Sequence, residues 1–132
     1  MADIHSALKA IATANVALTA LVGARVHHIE AAQNAAVAYV TFLRISDIPG
    51  RVMGTATLSG LRAAHYQFDA WANTQLSASA VAAAVFGAYD DYRGTSDTIV
   101  IDKILMEFGP EDSGDTEDYY RCILEAWVHY RL

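Results

Sequence analysis

Between Thr74 and Tyr89 the chain reads TQLSASAVAAAVFGAY, sixteen residues without a formal charge. Leu76, Val81, Val85 and Tyr89 recur there every four or five positions among alanines. That composition predicts a helix buried along most of its circumference. Small side chains let such a helix lie close to a flat surface. Alternating runs on either side, Leu61 to Trp71 and Thr98 to Phe108, supply strands for one. The stretch therefore predicts a helix laid on a sheet. The uncharged run begins at Ala70, but Asn73, Thr74, Gln75, Ser77 and Ser79 make it costly in hydrocarbon, and no membrane association is expected.

At 132 residues, the chain has the length of one domain spanning 1–132. It is 54% hydrophobic and 18% charged, too apolar for disorder and thinly charged for an isolated globule, which points to surface used in association. A net charge of −6 with nine Lys and Arg excludes general nucleic-acid binding, because phosphate contacts need clustered cations. Cys122 is the single cysteine, so there is no intrachain disulfide and no cysteine-based zinc cluster. The start of the chain carries Asp3 rather than a basic segment, and no secretion signal is expected.

Along the chain, Asp3 caps a helix through Ile4, Leu8 and Ile11. Asn15 falls on the apolar stripe and predicts a break, capping a second helical piece from Val16 to Leu21 that Gly23 ends. Arg25 to Glu30 reads as a short strand and Val37 to Ser46 as a longer one, joined by AAQNAA. Asp47 to Gly60, with Pro49, Gly50, Gly54 and Gly60, is either a partner-binding excursion or a distorted hairpin extending both neighbouring strands. From Leu61 to Trp71 the pattern alternates, Ala64, Tyr66, Phe68 and Ala70 against His65, Gln67 and Asp69.

After the helix, Arg93 suits its dipole and Gly94 a left-handed cap. Thr98 to Phe108 predicts a strand with Val100, Ile104, Met106 and Phe108 on one side, followed by an acidic connection, Gly109 to Asp118. Tyr119 to Leu132 alternates again, with Tyr120, Cys122, Leu124, Ala126, Val128 and Tyr130 facing one way. The expected class is α+β, a mostly antiparallel sheet with helices packed on one face, in the order α-β-β-β-α-β-β.

Chemical motifs are sparse. The sequence has no GxGxxG, P-loop, HExxH or GxSxG. His27 and His28 are adjacent, so on a strand they point to opposite faces and do not share a metal. The acidic run EDSGDTED does not match a calcium loop and reads as solvated. His65, Asp69, Glu125 and His129 occupy the polar faces of two long strands, where a carboxylate–imidazole pair could act as acid and base. They are the basis of one alternative, a small ligand-binding domain or enzyme. A solvated or inter-subunit sheet face explains the same residues, and no nucleophile or ligand triad completes a site.

Five phrases in order, ALTALVGARV, YVTFLRIS, LRAAHYQFDAWA, YRGT and YYRCILEAWVHYRL, span nearly the whole chain. Together they resemble the small tail completion, or tail terminator, proteins of long-tailed bacteriophages and of phage-like gene transfer agents. The family usually has a proline where Ala38 stands, and often Tyr-Pro where this chain has His27 and His28.

The resemblance implies a structural virion protein without catalysis, metal or cofactor, assembled in the bacterial cytoplasm. It implies a homo-hexamer ring on the head-proximal end of the tail, in contact with the tail tube protein and with a head–tail connector or stopper. DNA would pass through the lumen without specific binding, and an acidic lumen would repel phosphate. Ring closure needs two complementary flanks. The expected ones are a polar strand face with Arg62, His65 and Asp69, and the 47–60 segment carrying Arg51 and Met53.

Overall fold

The computed structural model describes residues 4–23, 25–28, 38–51, 58–96, 98–113 and 120–131. In chain order it contains α1 (Ile4–Ala14), α2 (Val16–Val22), β1 (Val26–His28), β2 (Tyr39–Arg51), β3 (Leu58–Ala72), α3 (Gln75–Tyr89), β4 (Gly94–Ser96), β5 (Ile99–Ser113) and β6 (Tyr120–Arg131). The α+β class is as expected. Relative to the expected order, the helical piece after Asn15 counts as a helix of its own and β4 is an added short strand; the sheet, expected to be mostly antiparallel, is mixed, with β1 parallel to β2.

Six strands lie in the order β1-β2-β3-β6-β5-β4. β1 runs parallel to β2, and the other four pairings are antiparallel. α1 touches both β1 and β4, the two outermost strands, so the sheet curls around the helix layer. Two buried hydrogen bonds fix α1 there: Tyr89 donates its hydroxyl to the Leu8 carbonyl at 2.6 Å and Ser96 donates to that of Ala7 at 2.7 Å.

The N-terminal break falls where Asn15 places it. Its side chain accepts from the Leu18 amide at 2.9 Å, a cap worth about 1 kcal/mol, and α2 leaves α1 at 89°. Gly23 closes α2 at φ 59°, a left-handed value that suits glycine.

α3 starts at Thr74, whose hydroxyl accepts from the Ser77 amide. It packs on β3, β6 and β5, the face that carries Tyr66, Phe68, Leu124 and Ala126. Its burial is narrower than the sequence suggests. Ala78, Val81, Ala82, Val85, Ala88 and Tyr89 are buried, while Leu76 is 82% exposed and Ala80, Ala83 and Gly87 face solvent. Alanine carries no phase information, so the charge-free composition resembled all-round burial.

The turn after α3 also differs from expectation. Asp91, not Gly94, takes the left-handed position at φ 60°, and Gly94 opens β4. The Asp91 amide donates to the Ile104 carbonyl and the Ile104 amide to that of Tyr92, while the Met106 amide donates to the Asp90 carboxylate. The chain leaving α3 thus covers part of the β5 edge, which an open strand would offer to any other chain.

A register shift between Ile101 and Lys103 changes the phase of β5. Ile99 and Ile101 share the core with Ile104 and Met106, while Val100, expected beside Ile104, is 42% exposed. Phe108, expected on the core face, is 55% exposed and stacks on Phe86 at 4.8 Å. A second shift follows between Phe108 and Glu111; there a Cβ on Gly109 would lie 3.1 Å from the Ile123 carbonyl, which favours glycine.

Both long connections are shorter than expected. β2 continues to Arg51 and β3 starts at Leu58, so the described parts of 47–60 extend both neighbouring strands, as in the second of the two sequence readings, and 52–57 lie outside the described residues. β5 continues to Ser113, taking in the first half of the 109–118 segment. The two hairpins leave the sheet at opposite ends, since Leu61 pairs with Arg131 at one end and Tyr120 pairs with Ala72 and Ser113 at the other. AAQNAA, Met53 and 114–119 lie outside the described residues.

Candidate subunit interface

The helices lie on one face of the sheet, and alternation sends the other set of side chains to the open face. β3 contributes His65, Gln67, Asp69 and Trp71 there, and β6 contributes Arg121, Ile123, Glu125, Trp127 and His129. Register fixes the cross-strand neighbours: His65 opposite Trp127, Gln67 opposite Glu125, Asp69 opposite Ile123 and Trp71 opposite Arg121. Leu43 on one side and Leu105 and Glu107 on the other continue these rows.

His65 stacks flat on Trp127, ring centroids 4.8 Å apart and planes 5° from parallel. Its Nε2 lies 3.5 Å from Glu125 Oε1, an ion pair only when the imidazole is protonated; Nε2 is buried and makes no hydrogen bond. Asp69 is 7% exposed and belongs to a different group. Gln67 donates to it at 3.0 Å and Arg121 approaches to 3.9 Å. The Arg121 guanidinium lies 5.2 Å from the centre of Trp71, which in turn stacks near Tyr39 and donates its indole N–H to Thr41. Cation and carboxylate are thus held by an aromatic platform.

The residues of the enzyme alternative do not converge. His65 and Asp69 are four positions apart on one strand, about 13 Å, too far to exchange a proton directly. His129 sits opposite Ala63, diagonal to His65 at about 7–8 Å. Of the four, only His65 and Glu125 approach each other. Among the described residues no group of three or more His, Cys, Asp and Glu is placed to hold a metal. An open depression of about 480 Å³ lies elsewhere, between α1, the end of α3 and β4, lined by Ala10, Ile11, Ala14, Ala88, Tyr92 and Thr95 among others.

Arg62 is not a neighbour of His65 and Asp69 on that face. An even position in a strand without register shifts against β6, it points to the helix side with Ala64 and Tyr66. There its Nε donates to Asp47 at 3.0 Å, Tyr130 donates its hydroxyl to the same carboxylate at 2.5 Å, and Arg44 lies 3.4 Å away. The Asp47 side chain is 8% exposed. Burial, reinforced by the hydrogen bond to Asp47, pushes the Tyr130 phenol up to about 12. The same carboxylate raises Arg62 above its ordinary value, chiefly through the hydrogen bond. Arg51 ends β2, paired with Leu58 beyond the Pro49–Arg62 pair. Sequence reasoning missed this carboxylate clamp, although Asp47 is the first residue of the 47–60 segment it singled out.

The arrangement offers an open sheet face, a projecting hairpin and no convergent catalytic group among the described residues. The family model described as "Tail completion protein gp17" matches residues 6–119. The chain belongs to that tail completion family. A solved chain from a structure titled "Virion of native gene transfer agent (GTA) particle" is similar with a TM-score of 0.74 at 16% identity, over 96% of this chain and 92% of that one. A second solved structure gives a TM-score of 0.59 at 16% identity, over 95% and 92%. At this identity the likeness concerns the fold. No curated protein matches in sequence.

Proposed function

We propose that this chain is a structural, non-catalytic protein of a phage or gene transfer agent tail that closes a homo-hexamer ring at the head-proximal end of the tube. The ring stops tube growth and presents its other side to a head–tail connector or stopper. The family match over residues 6–119 is the observation that carries this reading. The fold likeness to a chain of a gene transfer agent virion supports it.

The molecule's physics fits that role. Each ring subunit meets its neighbours through two different patches, and this one has an uncovered sheet face with His65 and Asp69 and a β2–β3 hairpin braced by Arg62 and carrying Arg51. Two hairpins at opposite ends of the sheet suit contacts above and below a ring. The net charge of −6 suits a lumen through which DNA slides without adhering.

Deleting the gene from a particle-producing strain tests the role. Electron microscopy is expected to show tails of uncontrolled length, or finished tails not joined to full heads; normal infectious particles would refute it.

A further inference from the structure

The helix side carries a surface that the fold does not use. α3 is fifteen residues without a formal charge, about 22 Å long, yet only one side of it is buried. A surface helix ordinarily carries charged or polar residues on the side away from the core. Here that side presents Leu76, Ala80, Ala83 and Gly87, with Leu76 82% exposed and open space where a Cβ on Gly87 would stand. Val16 and Leu21 of α2, a helix that touches α3, are exposed as well.

The open sheet face, on the opposite side of the same subunit, has the complementary character. Ile45, Val100 and Leu105 are 49%, 42% and 44% exposed, and Leu105 extends the row of His65 and Trp127. Asp69 has Arg121 and Asp102 has Arg131 at 2.7 Å on this side, whereas Glu125 has only His65, a charge partner when protonated, and lies opposite Glu107. An incoming surface therefore has to cover Val100 and Leu105 closely and bring no further negative charge beside Glu107 and Glu125. A charge-free helix side of alanine and glycine does both.

We propose that the outer side of α3 in one subunit lies on the open sheet face of the next, so that the occupant of each face is a second copy of this chain. The two faces differ and lie on opposite sides of the subunit. The contact is heterologous, and repeated through a closing rotation it makes a ring. This contact rests on the ring reading and specifies how the ring closes.

Cross-linking tests it. In full-length protein carrying Cys122→Ala, Ala83→Cys and Leu105→Cys are introduced singly and together and treated with a short bismaleimide. Both positions are solvent-facing, and within one subunit they lie on opposite sides of the sheet, Ala83 on the outer side of α3 and Leu105 on the open face. The double variant is expected to give a covalent ladder from dimer upward, and neither single variant is. A covalent dimer from Ala83→Cys alone or from Leu105→Cys alone means that like faces meet, and overturns the proposal. So does the absence of a ladder from the double variant at concentrations where the unmodified chain sediments as an oligomer; the ring then stands on another contact. If the unmodified chain is monomeric in solution and in isolated particles alike, the ring reading itself falls.

Discussion

Tyr130 donates its hydroxyl to the Asp47 carboxylate at 2.5 Å, linking β6 to β2 across the intervening β3. Arg62 of β3 reaches the same carboxylate at 3.0 Å, so one buried acid ties three strands together at the base of the 47–60 hairpin. Replacing Asp47 by Ala strands a phenol and a guanidinium that were paired. A loss of about 1–3 kcal/mol is expected in urea unfolding of the subunit. Asp47→Asn, which keeps an acceptor, should cost less.

The same clamp makes stability depend on alkaline pH. The Tyr130 phenol is raised to about 12 from an ordinary 10, first by burial and then by Asp47. The folded chain therefore keeps a proton that the unfolded chain releases near pH 10. This contribution is fully present below pH 10 and is lost as pH rises toward 12. Tyr89, fully buried, is raised as well and acts in the same direction. Denaturant midpoints between pH 9 and 12 are expected to fall more steeply for the native chain than for Tyr130→Phe. Parallel curves would show that Tyr130 does not carry this dependence.

Two neighbouring alanines report the orientation of α3. Ala82 is 2% exposed against the sheet, whereas Ala83 faces solvent. Ala82→Lys forces a charge into the core and is expected to unfold the subunit or cost at least about 3 kcal/mol. Ala83→Lys should change subunit stability by no more than about 0.5 kcal/mol. Circular dichroism with urea titration separates them, and equal losses would contradict the helix phase.

What was legible in the sequence depended on whether local chemistry carried phase. β6 reads correctly because Cys122, Leu124, Ala126, Val128 and Tyr130 alternate without interruption. Asn15 announces its cap because an amide on an apolar stripe has few other uses. α3 could be placed but not rotated, since alanine and glycine look the same on either side. The shift at Asp102 was hidden because a bulge adds one residue without changing composition, and it moved Val100 out of the core. Asp47 was hidden for another reason: its partners Arg62 and Tyr130 are 15 and 83 residues away, and only the register of three strands brings them together. The open face was visible in His65 and Asp69, but their separate pairing with Trp127 and Arg121 depended on β6 lying beside β3.

Arg62→Glu separates bracing from direct contact. In the folded subunit the new carboxylate would lie beside Asp47, which is 8% exposed and already accepts from Tyr130. Two carboxylates in such a site repel, and one is driven to take up a proton. Subunit stability is expected to fall by about 1–3 kcal/mol, with part of the loss recovered at low pH as the pair shares a proton. Assembly should weaken in step with stability, because the hairpin that Arg62 braces is misplaced. Stability and assembly are read from urea unfolding and sedimentation on the same preparations. If assembly is lost while the unfolding midpoint stays unchanged, Arg62 acts by touching the neighbouring subunit; if both fall together and Asp47→Ala does the same, its role is to hold the hairpin base that the neighbour meets.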